Sequence, residues 1–100
     1  MSVIKHIVMW DLRGESAEEK ATAAGAVKHA FEGLNGKIPG LLKLEIGIDF
    51  SGIDYACDVV LYSKFDSREA LQAYAIHPEH LRVRDELAGV RVSRHQVDYV

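Results

Sequence analysis

The sequence predicts an α+β fold in the order β-α-β-β-α-β, and three features carry that reading. Residues 42–50 alternate without a break, with Leu42, Leu44, Ile46, Ile48 and Phe50 on one side and Lys43, Glu45, Gly47 and Asp49 on the other. That period of two marks a half-buried strand. Ala17, Ala21, Ala24, Val27, Phe31 and Leu34 recur at three- and four-residue steps, which gives a helix one apolar stripe. Three further β-rich stretches and a second helical window fill the rest of the chain.

The elements follow in order. Val3 to Leu12 reads as a strand with Ile4, His6, Val8, Trp10 and Leu12 on one face and Val3, Ile7 and Met9, broken by Lys5 and Asp11, on the other. Ser16 followed by Glu19 is a capping-box pattern that opens the first helix. Gly33 and Gly36 weaken its end, and Pro39-Gly40 is turn chemistry. The strand at 42–50 leads into a loop at 51–54. Cys57 to Phe65 forms a third strand, with Val59, Leu61 and Phe65 on one side. Asp66 and Glu69 make a second capping-box pattern, starting a helix through Leu71 and Tyr74. Pro78 interrupts it, because the ring and missing N–H do not fit a helix interior. It suits instead the first turn of a new short helix, from about Pro78 to Ala88. Val90 to Val100 is the fourth strand, with Val92, Val97 and Tyr99 as packing residues.

This order is the split βαβ arrangement of ferredoxin-like folds. It implies a four-stranded antiparallel sheet with two helical regions on one face. The first strand is apolar on both sides, and Ile4, Val8 and Trp10 cannot line open water cheaply, since burying such a side chain stabilises by about 1.5–3 kcal/mol. An uncovered sheet face of that kind marks an interaction surface. The expected solution is a C2 homodimer with two sheets face to face, a dimeric α+β barrel.

Length and composition limit the function. The 100 residues suit one domain, taken as residues 1–100, and 48% hydrophobic with 27% charged residues is globular composition. Twelve lysines and arginines stand against 15 aspartates and glutamates, a formal charge of −3. No basic stripe offers itself to nucleic acid, and no apolar run reaches the roughly 20 residues that span a bilayer. No signal-peptide pattern opens the chain, and the lone Cys57 has no internal partner, so the cytoplasm is the expected compartment.

Phosphate-loop, dinucleotide, zinc-protease and C-x-x-C motifs are all missing from the sequence. Cys57 lies inside a strand and reads as a buried structural thiol. Two of the five histidines fall in Tyr74-Ala75-Ile76-His77-Pro78-Glu79-His80. Histidine moves protons near neutral pH, and a tyrosine hydroxyl donates to a developing oxyanion. In an apolar pocket such a pair runs acid–base chemistry without a cofactor. The competing structural reading makes His77 a helix cap and His80 a satisfied, partly buried side chain. His6 shares the face of Val8 and Trp10. Facing the inter-sheet interior, it needs a hydrogen bond or costs about 1–3 kcal/mol of desolvation. His77, Glu79 and His80 do not match a zinc-ligand spacing, so no metal is expected.

The opening Val3-Ile4-Lys5-His6-Ile7-Val8-Met9-Trp10, the Lys37-Ile38-Pro39-Gly40 turn, the stretch from Cys57 to Ser67 and the His77-Pro78-Glu79-His80 segment together resemble one family, the stress-responsive A/B barrel (Dabb) domains. The resemblance implies a dimeric α+β barrel and no cofactor. It also carries a likeness to the olivetolic acid cyclase branch, which folds a linear tetraketide into an aromatic acid. The catalytic tyrosine and histidine of that branch match Tyr74 and His80, and a pocket histidine matches His6. A further pocket histidine falls on Val59, a departure from the pattern. What the resemblance implies is catalysis by His80 and Tyr74, with His6 and the position of Val59 in the pocket; Val8 and Trp10, which share the face of His6, and His77, from the 74–80 segment, are the further candidates around a small hydrophobic or aromatic ligand. The alternative it leaves open is a non-catalytic, stress-associated or ligand-binding dimer.

Overall fold

The computed structural model describes residues 2–100. Its elements are β1 (Ile4–Leu12), α1 (Ala17–Glu32), β2 (Leu41–Ile48), β3 (Val59–Phe65), α2 (Arg68–Ala75), α3 (Pro78–Glu86) and β4 (Arg91–Tyr99). The strands form one sheet in the order β2-β3-β1-β4, every neighbouring pair antiparallel. This is the ferredoxin-like α+β fold. The second helical region is two helices rather than one, because Pro78 cannot continue α2 and instead starts α3.

The caps follow the sequence closely, with two shifts. Ser16 accepts a hydrogen bond from the Glu19 amide at 3.1 Å, while Glu19 Oε1 reaches past Ser16 to accept from the Glu15 amide at 3.0 Å. The cap of α2 is Ser67, not Asp66. Its hydroxyl accepts from the Ala70 amide at 3.1 Å and donates to Asp66 Oδ1 at 3.2 Å. Gly40 holds the turn into β2 at φ +81, and a Cβ there would stand 2.5 Å from Ala70 Cβ. The Asp66 amide donates to the Gly40 carbonyl at 2.9 Å, so this turn ties β2 to the start of α2.

All three helices pack on the face carrying Ile4, His6, Val8, Trp10 and Leu12. These residues, with Leu44, Ile46, Val59, Leu61 and Phe65, meet Val27, Phe31, Leu34, Tyr74, Val83 and Leu87 in one core. Trp10 is 3% exposed and stacks on Phe31 at 5.3 Å between ring centroids. Trp10, Val8 and Ile4 therefore lie under the helices, which corrects their assignment to an interior between two sheets. With period-two pleating, one face of β1 must meet the helices, and the larger apolar set won.

The uncovered face carries Ile7, Met9, Val60 and Tyr62, flanked by Val97 and Tyr99 of β4. Val92, Val97 and Tyr99 are accordingly exposed and do not pack within the chain as expected. Phe50 lies beyond the end of β2 and is 101% exposed. A register shift between Leu41 and Lys43 also turns Leu42 out of the core.

Candidate functional site

The break at Pro78 positions the site. α2 carries Tyr74 into the core, and the turn at Ile76-His77 brings α3 back so that the His80 ring meets the Tyr74 ring at 4.3 Å between centroids. Simple helical spacing would not bring them together. His80 Nδ1 lies 3.2 Å from the Ala75 carbonyl. A carbonyl oxygen only accepts, so Nδ1 carries the hydrogen and Nε2 of the neutral ring keeps its lone pair. Burial lowers the His80 pKa, and Arg84, Arg91 and Arg94 push the same way against the Ala75 bond. His80 is thus a neutral base with a defined tautomer near neutral pH.

Tyr74 is 3% exposed. Burial pushes its phenol well above the ordinary range, and Arg94 and Arg91 offset only part of that rise. It stays protonated and able to donate. The edge of the His6 ring faces Tyr74 at 6.2 Å, and the Ser63 hydroxyl donates to the His6 carbonyl at 2.9 Å.

β4 adds residues that sequence reasoning missed. His6 Nδ1 donates to Asp98 Oδ1 at 2.5 Å, and Gln96 Nε2 donates to Asp98 Oδ2 at 3.1 Å. Arg94 Nε donates to Gln96 Oε1 at 3.1 Å. Arg94, Gln96 and Asp98 thus form a polar ladder on one side of the strand, opposite Trp10, Val8 and His6 respectively. The available signal was the alternation of these polar residues with His95, Val97 and Tyr99, read against the parity of β1.

These groups border a cleft of about 470 Å³ between β1, β4, α2 and α3. Ile4, Leu71 and Ala75 give it an apolar wall, and His6, His80, Arg94 and Asp98 a polar one. The volume falls within the range of small-molecule sites, about 300–1,000 Å³. Tyr74, His80 and His6 meet here.

The other expected site residues do not. Val8 and Trp10 are core residues under the helices. Val59 is buried at the start of β3 and borders a separate depression of about 560 Å³ near Met9, Tyr55 and Cys57. His77 caps α3 by accepting the Glu79 amide at 3.1 Å, so its ring nitrogen is used by the backbone and it does not line the cleft. Glu79 turns to Arg82 at 2.8 Å, so His77, Glu79 and His80 diverge. The half-buried Cys57 thiol has its pKa raised by burial and by Asp11 and Asp58, the opposite of thiolate activation.

Fold and cleft together define a ferredoxin-like α+β domain with a tyrosine–histidine pair set between its sheet and its helices. The chain belongs to the Dabb family: the model of the stress responsive A/B barrel domain matches residues 4–100. It is 29% identical over 106 aligned residues to the stress-response A/B barrel domain-containing protein DABB1 of Arabidopsis thaliana, covering 99% of this chain and 47% of that protein. The chain therefore spans about half the length of that relative. A dimeric protein of ferredoxin-like fold from Bacteroides fragilis is 37% identical, with TM-score 0.85 and coverage of 97% of this chain and 94% of that one. The hydroxynitrile lyase of Passiflora edulis, 15% identical with TM-score 0.73 over 97% of this chain and 91% of that one, shares the fold alone.

Proposed function

We propose that residues 1–100 act as one Dabb domain that dimerises through its open sheet face and performs cofactor-independent acid–base chemistry in the cleft. The observation that carries this is the Tyr74–His80 pair, with the His80 Nε2 lone pair kept available by the Ala75 carbonyl. His80 removes a proton next to a substrate carbonyl, and Tyr74 donates to the enolate or alkoxide that forms. His6, held by Asp98, orients the substrate. The sharpest form of the reaction is aldol- or Claisen-type cyclisation of a polyketide-like compound.

The test is α-proton exchange of a linear β-diketone in deuterium oxide, followed by NMR, together with cyclisation of a linear polyketide thioester. His80→Gln is expected to lower the rate by about 10²–10⁴-fold, the range of a general base. Full turnover in that variant overturns the role of His80. Dimerisation is supported by the exposed Met9, Val97 and Tyr99 beside the half-buried Ile7 and Tyr62, and by the dimeric Bacteroides fragilis relative. Sedimentation of Met9→Asp tests it, with a shift to monomer expected. A second reading, a stress-associated or ligand-binding dimer without turnover, has in its favour that His6 and His80 each already make a hydrogen bond within the fold.

A further inference from the structure

One end of the cleft lies beside a hollow lined by three arginines. Although the chain is acidic overall, with a formal charge of −3, Arg84, Arg91 and Arg94 converge where α3 meets the start of β4, around a hollow that opens beside the cleft. Arg94 borders both spaces. The Arg91 guanidinium lies 4.8 Å over the Trp10 ring and 5.6 Å over that of Phe31. Stacking occupies its face and leaves its edge N–H groups for a planar acceptor.

Nearby carboxylates are committed elsewhere. Asp98 serves His6 and Gln96, Glu79 and Glu86 both serve Arg82, and Asp85 meets Arg84 at 3.4 Å on an exposed surface. Among the described residues neither Arg91 nor Arg94 has an ion-pair partner. Natural surfaces seldom crowd like charges without a counter-charge, since their repulsion is a standing cost. Burial lowers the Arg91 pKa, and the neighbouring Arg94 lowers it further. A bound anion reverses the second effect.

We infer that the Arg91–Arg94 corner receives a carboxylate of the ligand, so that the cleft takes an apolar or aromatic body carrying an acid group at the His80 end. Arginine suits this because its planar fork matches a carboxylate two oxygens at a time; Nε and Nη2 of Arg94 donate to Gln96 Oε1, which leaves the Nη1 side of that guanidinium for the ligand. The apolar wall of Ile4, Leu71 and Ala75 accepts the body. This inference rests on the cleft being a ligand site and adds the class of ligand. It also assigns Arg94 as a specificity-determining residue.

The probe is 2-hydroxybenzoate against its neutral near-isostere 2-hydroxybenzamide, with binding read by titration calorimetry. Fluorescence of Trp10, the only tryptophan of the chain, gives a second reading, because Arg91 stacks on it. The acid is expected to bind at least about tenfold more tightly than the amide. Arg94→Gln should weaken the acid by about 10–100-fold and leave the amide unchanged, while Arg94→Lys falls between. Circular dichroism checks that the exposed Arg94 variants stay folded. Equal affinity for acid and amide, no effect of Arg94→Gln, or no binding of the acid at millimolar concentration overturns the inference. Equal competition by inorganic phosphate overturns the carboxylate assignment. The acid binding with this arginine dependence while His80→Gln leaves diketone exchange unaltered sinks the catalytic reading and leaves the carboxylate site standing. The reverse pattern sinks the carboxylate site alone.

Discussion

Gly40→Ala is a local perturbation with a cost that can be worked from the structure. Two terms act. Gly40 sits at φ +81, and a side chain in that region costs about 1 kcal/mol. The added methyl would also stand 2.5 Å from Ala70 Cβ and 2.8 Å from Asp66 Oδ1. Neither neighbour moves freely, because Ala70 is fixed by the Ser67 cap and the Asp66 amide is bonded to the Gly40 carbonyl. Overpacking of this kind adds about 1–3 kcal/mol. The expected total is about 2–4 kcal/mol, or more than about 8 °C in melting temperature at 4–8 °C per kcal/mol.

Gly36 supplies the control. It has φ +83 and open space where its Cβ would go, so Gly36→Ala carries the backbone term alone, about 1 kcal/mol. Urea unfolding at one protein concentration compares the two. Ala70→Gly weakens α2 by about 1 kcal/mol on its own. Combined with Gly40→Ala it should return about 1–3 kcal/mol relative to the sum of the single changes. A Gly40→Ala cost within about 0.5 kcal/mol of the Gly36→Ala cost, or strict additivity with Ala70→Gly, refutes the reasoning.

Two further outcomes are expected. His80 has a lowered pKa in the folded chain, so below its unfolded value near 6.5 the unfolded state binds more protons. Its contribution to stability is complete above that pH and is lost as pH falls through the folded pKa. Thermal melts from pH 7.5 to 5 should therefore decline less steeply for His80→Gln than for the parent, and parallel declines would count against the burial described. Ser67→Ala removes the acceptor of the Ala70 amide and should cost about 1 kcal/mol in urea unfolding. An unchanged midpoint would mean that α2 is held by its packing and owes nothing to the cap.

The fold was legible where local chemistry and tertiary packing agree. The period-two run over 42–50 and the three-four stripe from Ala17 to Leu34 each have one apolar side, and the core used that side at Leu44, Ile46, Ala24, Val27 and Phe31. The Pro78 break is a rule of backbone sterics that no packing overrides. The direction in which β1 faces was not legible, since both of its sides are apolar, and the structure shows the larger apolar set, Ile4, Val8, Trp10 and Leu12, under the helices. Tyr74 and His80 were identifiable as residue types, but their meeting depends on the turn at Ile76-His77, which spacing alone does not specify. His77 illustrates the ambiguity of a histidine before a proline, where the same ring serves a ligand or a backbone amide equally well by composition. Asp98, Gln96 and Arg94 escaped because the partner that gives them meaning, His6, is 92 residues away from Asp98.

The strand that supplies Arg94, Gln96 and Asp98 to the cleft has a particular place in the molecule. β4 is an edge strand, and none of its residues belongs to the buried core. At the proposed ligand site, substitutions at the exposed positions 94 and 96 would change the chemistry offered to a ligand while shifting stability by about 0.5 kcal/mol or less, whereas Asp98 is tied to the fold through its bond to the buried His6. The proposed recognition surface is thereby separable from the core at these two positions, while Tyr74 and His6 belong to both. A lineage using this architecture would be free to exchange one amide or cation for another at positions 94 and 96 while the sheet, the helices and the Tyr74–His80 pair stay as they are.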